Sequence, residues 1–213
     1  MSRLRTFGDE LPQPGGEAAL DRGGEAVIPL EPFALALDLA TGRLAPHTSR
    51  IVRRVSDMRG MYAHAEAEER LAAGEDPVVY EVLQYDVPAD NGQLVCCTTV
   101  IQPGLVGEEY FMTKGHFHEK RETGEVYLGL SGRGYLLMFA DDRAAELELA
   151  PGTLAYVPPF WAHRTLNVGD RPFSFLAVYP ADAGHDYATI EKSGFPRRVV
   201  RSSSGPVVAA SGV

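Results

Sequence analysis

The chain has 213 residues, the size of one large domain or of a domain with attachments. Hydrophobic residues make up 45% and charged residues 23%, ordinary proportions that exclude disorder over most of the length. Lys and Arg total 20 against 29 Asp and Glu, and the resulting net charge of −9 argues against broad binding to nucleic acid or to an anionic membrane surface, both of which require neutralised phosphates.

Residues 1–26 are rich in Gly, Glu, Pro and Arg without an apolar period, which predicts a flexible leader. Met1 to Glu17 has no apolar signal-peptide core, and no 18-residue apolar run follows anywhere, so a cytoplasmic protein is expected. The only cysteines, Cys96 and Cys97, are adjacent and would point to opposite faces of a strand, which fits a reducing compartment. Residues 27–76 read as a helical or irregular preface. Helix formers follow Ser56, an expected N-cap, in SDMRGMYAHAEAEERLAA, and Gly60 divides them into two short helices as readily as one. Gly74 and Pro77 close the stretch.

From Pro77 the texture changes to short β-branched and aromatic runs. Strands are predicted near 78–87, 94–102, 109–113, 125–130, 134–140, 145–149, 153–157, 163–167 and 173–179, with PADNG, QPG, SGRG, APG and NVGDRP among the separators. Short strands at this spacing imply a mainly β barrel or sandwich over residues 77–200. Residues 201–213 (RSSSGPVVAASGV) look like a loose tail.

Two segments inside the β region carry chemistry. Gly115-His116-Phe117-His118 is followed after six residues by Glu125 and after six more by Gly132. Gly152 is followed by Pro158, His163 and Asn167. His116 and His118 stand at i and i+2, so on a strand both imidazoles share one side and form a chelating pair. The polar EKRETG can turn the chain and return Glu125 beside them, and His163 lies beyond a Pro-Pro corner. Three imidazoles and one carboxylate without a thiolate suit an octahedral Fe, Mn or Ni with open positions better than a closed zinc site. An isolated HxH is often only a pair of half-exposed histidines; the second segment is what turns the reading toward metal.

The His, His, Glu and His at these spacings resemble the two motifs of the cupin superfamily. YFMTKGHFH, EVYLGLSGRG, GTLAYVPPFWAHRTLNVGD and FLAVYPADAGHDYATI are similar to the cupin-type phosphoglucose isomerases, with a weaker likeness at SDMRGMY. The resemblance implies a small cupin-type β-barrel or jelly roll holding one divalent metal per subunit, Fe first with Mn, Ni or Zn as alternatives. It implies a cytoplasmic homodimer that interconverts glucose 6-phosphate and fructose 6-phosphate in glycolysis and gluconeogenesis, with no nucleic acid or membrane partner. It assigns the metal to His116, His118, Glu125 and His163. It assigns the sugar phosphate to Tyr80, Thr99, Thr113, Gly115, Tyr179, His185 and Tyr187, and catalysis to Glu125 with Tyr127 beside the metal.

The residue types fit those duties. Thr99 and Thr113 supply hydroxyls, Gly115 lets backbone approach an anion, the tyrosines offer phenols, and Lys114 adds a charge. Each also has a plain structural reading, since Thr suits strands and buried Tyr suits cores. Gly132, Gly152 and Pro158 read as turn or corner residues, Phe117, Phe160 and Trp161 as packing, His47 and His64 as bystanders, and Glu66, Glu68 and Glu69 as solvated helix positions. Either a cis-enediolate reached through Glu125 or a direct hydride shift fits the same site, and the enediolate is preferred. The same ligands also serve iron dioxygenases, other sugar-phosphate isomerases and non-enzymatic sugar-binding cupins.

Overall fold

Alternating apolar and polar positions from Val78 onward build most of the molecule into antiparallel strands. The computed structural model describes residues 30–211 together with the short strands β1 (Ala19–Leu20) and β2 (Ala26–Val27). Two units are distinguished, Met1–Ala36 and Leu37–Val213. In the first, β1 pairs antiparallel with β2. The rest of the leader expected over 1–26 lies outside the described residues.

The elements that follow are β3 (Ala36–Leu37), β4 (Leu44–Ala45), β5 (Ser49–Arg54), a 3-10 turn at Val55–Met58, α1 (Ala65–Ala73), β6 (Val78–Tyr85), β7 (Leu94–Ile101), β8 (Leu105–Val106) and β9 (Glu109–Tyr110). Then come β10 (Glu125–Ser131), β11 (Gly134–Ala140), β12 (Arg143–Leu149), β13 (Leu154–Val157), β14 (Ala162–Asn167), β15 (Phe173–Pro180), α2 (Tyr187–Ser193), β16 (Arg197–Ser202) and β17 (Gly205–Ala210). The expected mainly β architecture is present. A six-stranded sheet, β13-β10-β15-β7-β6-β5, stands with a three-stranded sheet, β12-β11-β14, and a four-stranded sheet, β17-β16-β9-β8. One hydrophobic core joins them, with Leu136 and Leu166 from the smaller sheet packed among Ile101, Phe173 and Phe175 from the larger.

Strand alternation decides what the interior contains. Ile51 and Arg53 of β5, Tyr80, Val82 and Gln84 of β6, Cys97 and Thr99 of β7, Glu125 and Tyr127 of β10, His163 and Thr165 of β14, and Phe175, Ala177 and Tyr179 of β15 all line one cavity. Within every strand these residues are two apart, as the pleat requires.

The preface departs from its helical reading. SRIVRR is the edge strand β5 and pairs with β6 across the expected boundary at 76/77. Its three arginines hide a strand that needs only Ile51 and Val52 as apolar partners. Two helical pieces do follow, separated by Gly60 at φ +78°. Ser56 is not the N-cap: it sits inside the 3-10 turn, and its backbone N–H and hydroxyl both donate to Asp76 at 2.8 Å. Glu68 is not solvated. It is 4% exposed and accepts from the Gly60 N–H at 3.1 Å, while Glu66 and Glu69 are exposed as expected. The strand expected over 109–113 is only two residues long, with an isolated bridge at Met112.

The expected loose tail is a strand for most of its length. Pro206 to Val208 pair with Arg201, Val200 and Val199, and Gly205 at φ +108° makes the turn. Its serines and glycine belong to that turn, whereas Val207 and Val208 belong to the ladder. Among the described residues no helix is long and apolar enough to cross a membrane.

Candidate metal centre and substrate cavity

His116 sits in an extended segment clamped to β14: its N–H donates to the His163 carbonyl at 3.1 Å, and the His163 N–H returns a bond at 3.0 Å. His118 follows on the same side, its ring centroid 5.6 Å from that of His116. Glu125 opens β10 after the Glu119–Gly124 turn. His163 comes second in β14, after the Pro-Pro corner. One donor atom from each of the four lies within 4.8 Å of the others. His118, Glu125 and His163 are buried, and His116 is half-buried.

The hydrogen bonds behind the rings fix what faces the centre. His163 Nδ1 donates to the Trp161 carbonyl at 3.3 Å, and His118 Nδ1 to the Thr123 carbonyl at 3.1 Å. A carbonyl only accepts, so these nitrogens carry the protons. The Thr123 hydroxyl spends its proton on the Lys120 carbonyl and accepts from the same His118 nitrogen at 2.7 Å. Both Nε2 atoms then present lone pairs, at 3.2 Å (His118) and 2.9 Å (His163) from Glu125 Oε2. Lone pairs facing a carboxylate oxygen call for a cation among them. His116 Nε2 is also buried without a hydrogen-bond partner. This donor set therefore fits a divalent ion.

Electrostatics agree. Burial and the neighbouring imidazoles of His163, His185 and His118 hold the His116 pKa well below its ordinary value, which keeps the ring neutral. The Glu125 carboxyl lies below its ordinary value despite its burial, so it stays ionised. Burial, then the Glu125 charge, pushes the Tyr127 phenol well up, so it stays protonated.

The cavity at this centre holds about 280 Å³. Tyr80, Thr99, Thr113, Gly115, Glu125, Tyr127, Tyr179, His185 and Tyr187 all line it, together with His116 and His163. His118 completes the cluster from behind. His185 packs edge-on against His116 at 4.4 Å and stacks on Tyr187 at 5.7 Å. Tyr179 donates to Gln84 at 3.3 Å. The Thr113 hydroxyl accepts from the Thr165 N–H at 3.1 Å. Gly115 is required by space as well as by conformation: its φ is +77°, and a Cβ would lie 2.8 Å from Arg164 Cβ. A larger cavity of about 650 Å³, lined by Arg43, Val100 and Arg171 among others, includes no histidine or cysteine.

Sequence reasoning missed Arg53, Gln84 and Thr165. The alternation of the expected strands at 78–87 and 163–167 carries Gln84 and Thr165, and Arg53 would have followed had SRIVRR been read as a strand. Lys114 lines the cavity and lies 3.3 Å from Glu191. Gly132 and Gly152 are turn residues at φ +75° and +85°. Phe117 packs on Phe139 at 5.4 Å, but Phe160 is 56% exposed at φ +70°, a corner residue and not a core one. His47 bonds the Leu44 carbonyl, and His64 precedes α1; neither reaches the cluster.

The sequence profile described as "Glucose-6-phosphate isomerase (GPI)" matches residues 52–208. The glucose-6-phosphate isomerase of Thermococcus litoralis is 49% identical over 179 residues, covering 84% of this chain and 94% of that protein. Its counterpart in Pyrococcus furiosus is 48% identical over 174 residues, covering 81% and 92%. Among solved structures, an oxalate decarboxylase aligns over 48% of this chain and 26% of its own, at 25% identity and a TM-score of 0.41. With the profile spanning most of the chain and near-half identity to full-length relatives, the protein belongs to the glucose-6-phosphate isomerase family.

Proposed function

We propose that the protein is a metal-dependent isomerase interconverting glucose 6-phosphate and fructose 6-phosphate. The observation that carries this reading is one cavity lined both by the His/Glu cluster and by hydroxyl, phenol and cationic groups. His116, His118, Glu125 and His163 would hold the ion, with iron the first choice. When bound, it supplies Lewis-acid charge that stabilises the negative charge developing on the substrate oxygens.

The chain's own groups do the rest. Tyr80, Thr99, Thr113, Gly115, Tyr179, His185 and Tyr187 bind and orient the sugar phosphate. Glu125 takes the proton from C2 of the ring-opened glucose 6-phosphate, which leaves a cis-enediolate, and returns it to C1 while the O2 proton passes to O1. The Tyr127 phenol, protonated beside Glu125, donates a hydrogen bond to the reacting oxygens. A hydride shift is the second reading, supported by the low basicity of a carboxylate that also holds the ion. Turnover in deuterated water separates them: deuterium at C1 of fructose 6-phosphate establishes proton transfer.

The decisive experiment is an anaerobic isomerase assay on metal-stripped protein reloaded with Fe, Mn, Ni or Zn. Turnover that depends on the reloaded ion is the expected result. Full activity in protein free of metal by elemental analysis would end the proposal. We infer that the enzyme works as a cytoplasmic homodimer in glycolysis and gluconeogenesis, as the family resemblance implies; light scattering that reports a monomer at assay concentration would refute the dimer.

A further inference from the structure

Two cationic side chains line the cavity, and they are not equivalent. Lys114 has Glu191 as a partner at 3.3 Å. The three arginines of β5 also differ. Arg50 pairs with Glu81 at 2.5 Å, and Arg54 donates to the Asp76 carbonyl at 2.7 Å. Arg53, set by the pleat on the same face as Ile51, lines the cavity instead. It is half-buried, and among the described residues it forms no ion pair with a carboxylate.

Its surroundings point to an anion. Arg53 stands directly across from Tyr80 in the β5–β6 ladder. Its charge acts on the Tyr80 and Tyr187 phenols, opposing the rise that burial causes in both. A half-buried guanidinium without a carboxylate is costly unless a ligand supplies the countercharge. The planar fork of arginine matches a phosphate with two parallel hydrogen bonds. The acidic chain as a whole, at −9, gives an anion no general attraction, so a local cation is needed.

We propose that Arg53 is the counter-charge for the substrate's phosphate group and the residue that makes the cavity prefer phosphorylated sugars. The proposal rests on the isomerase reading above and extends it to the specificity of the same site.

The test uses full-length, metal-loaded protein as wild type, Arg53→Met and Arg53→Lys. Steady-state kinetics with fructose 6-phosphate and calorimetric binding of inorganic phosphate are measured, with metal content and melting temperature on the same samples. Arg53→Met is expected to raise KM and the phosphate Kd together by about 10- to 100-fold, as for lost hydrogen bonds to a charged group, with kcat changed far less. Arg53→Lys, which keeps the charge and loses the fork, should fall between, and it serves as the test if the Met variant does not fold. Unchanged KM and unchanged phosphate binding in a folded, metal-replete variant would overturn the assignment, as would a fall in kcat alone. If wild-type protein binds phosphate through Arg53 but does not turn over sugar phosphate, the isomerase reading fails and the anion site stands.

Discussion

At the histidine end of the cavity, the rings of His118 and His163 are each fixed from behind by a backbone carbonyl, and the Thr123 hydroxyl adds a second acceptor for His118. At the end lined by Thr113, Gly115, Lys114 and Arg53, the Thr113 hydroxyl is paired with Thr165, and the cations differ in how far they are neutralised. The first end has one protonation pattern and one geometry. The second can exchange its internal hydrogen bonds for bonds to a ligand. Removing a group from the first should therefore remove the site, whereas removing one from the second should weaken affinity and leave the site standing.

The largest effect is expected at His163. Replacing it by Ala removes an imidazole that is 1% exposed and opens a cavity beside Glu125. Metal retention and isomerase turnover should both be lost, as read by elemental analysis and activity in one sample. A His163→Ala protein that keeps stoichiometric metal and full activity would show that the four-residue cluster is not the centre.

Thr113→Ala tests the other end. Loss of a hydrogen bond to a charged phosphate costs roughly 1.5–3 kcal/mol, to be read as a raised KM for fructose 6-phosphate at unchanged metal content. The Thr165 N–H also loses its acceptor in that variant, so Thr113→Ser, which keeps the hydroxyl, is the discriminating control. If the Ser variant is as weak as the Ala variant, the hydroxyl is not what holds the phosphate.

Thr123→Val returns to the metal end without touching a ligand. The hydroxyl that accepts from His118 Nδ1 disappears while the carbonyl partner remains. Partners behind metal-bound histidines contribute about 10- to 100-fold in metal affinity. A competition titration with a chelator should show a loss in that range; a loss confined to KM for sugar phosphate would place Thr123 at the wrong end of the comparison.

The two ends were also unequally legible in the sequence. His116, His118 and Glu125 are spaced by the period of a strand and by one turn, and His163 follows a Pro-Pro corner onto β14, where it bridges to His116. Tyr80, Thr99 and Tyr179 could be placed only by resemblance, because nothing in a lone Thr or Tyr distinguishes a cavity wall from a core. Arg53 was hidden by SRIVRR, whose charge density masks its alternation: Ile51 and Arg53 face inward, and Arg50 and Arg54 are engaged elsewhere. Val207 and Val208 were masked in the same way by the serines and glycine of their turn. Glu68 reads as a surface residue because helix position alone does not reveal that Gly60 will fold back onto it.

The smallest expected effect lies at the strap that carries His185 and Tyr187 into the cavity. Asp186 stands between them and holds three partners: its carboxylate caps α2 by accepting from the Thr189 N–H at 3.0 Å, accepts from the Thr189 hydroxyl at 2.6 Å, and pairs with Arg121 at 2.6 Å. Its backbone also bridges to Phe117, between the two cluster histidines, with its N–H donating at 2.8 Å. The Thr189 hydroxyl first, then the Thr189 N–H and Arg121, hold the Asp186 pKa below its ordinary value. A depressed folded pKa means that the contribution is present above the unfolded value, near 3.9, and is lost as pH falls through the folded one. Asp186→Ala should cost about 1 kcal/mol, as for a lost helix cap, or about 2–4 °C in melting temperature for a unit of this size. Metal loss in acid would confuse the comparison, so both proteins are melted metal-free at pH 7 and at pH 3. The gap should be present at pH 7 and should shrink at pH 3. A gap of the same size at both values would mean that the charge of the Asp186 carboxylate does not fasten the strap, since the backbone bridge to Phe117 is the same in both proteins.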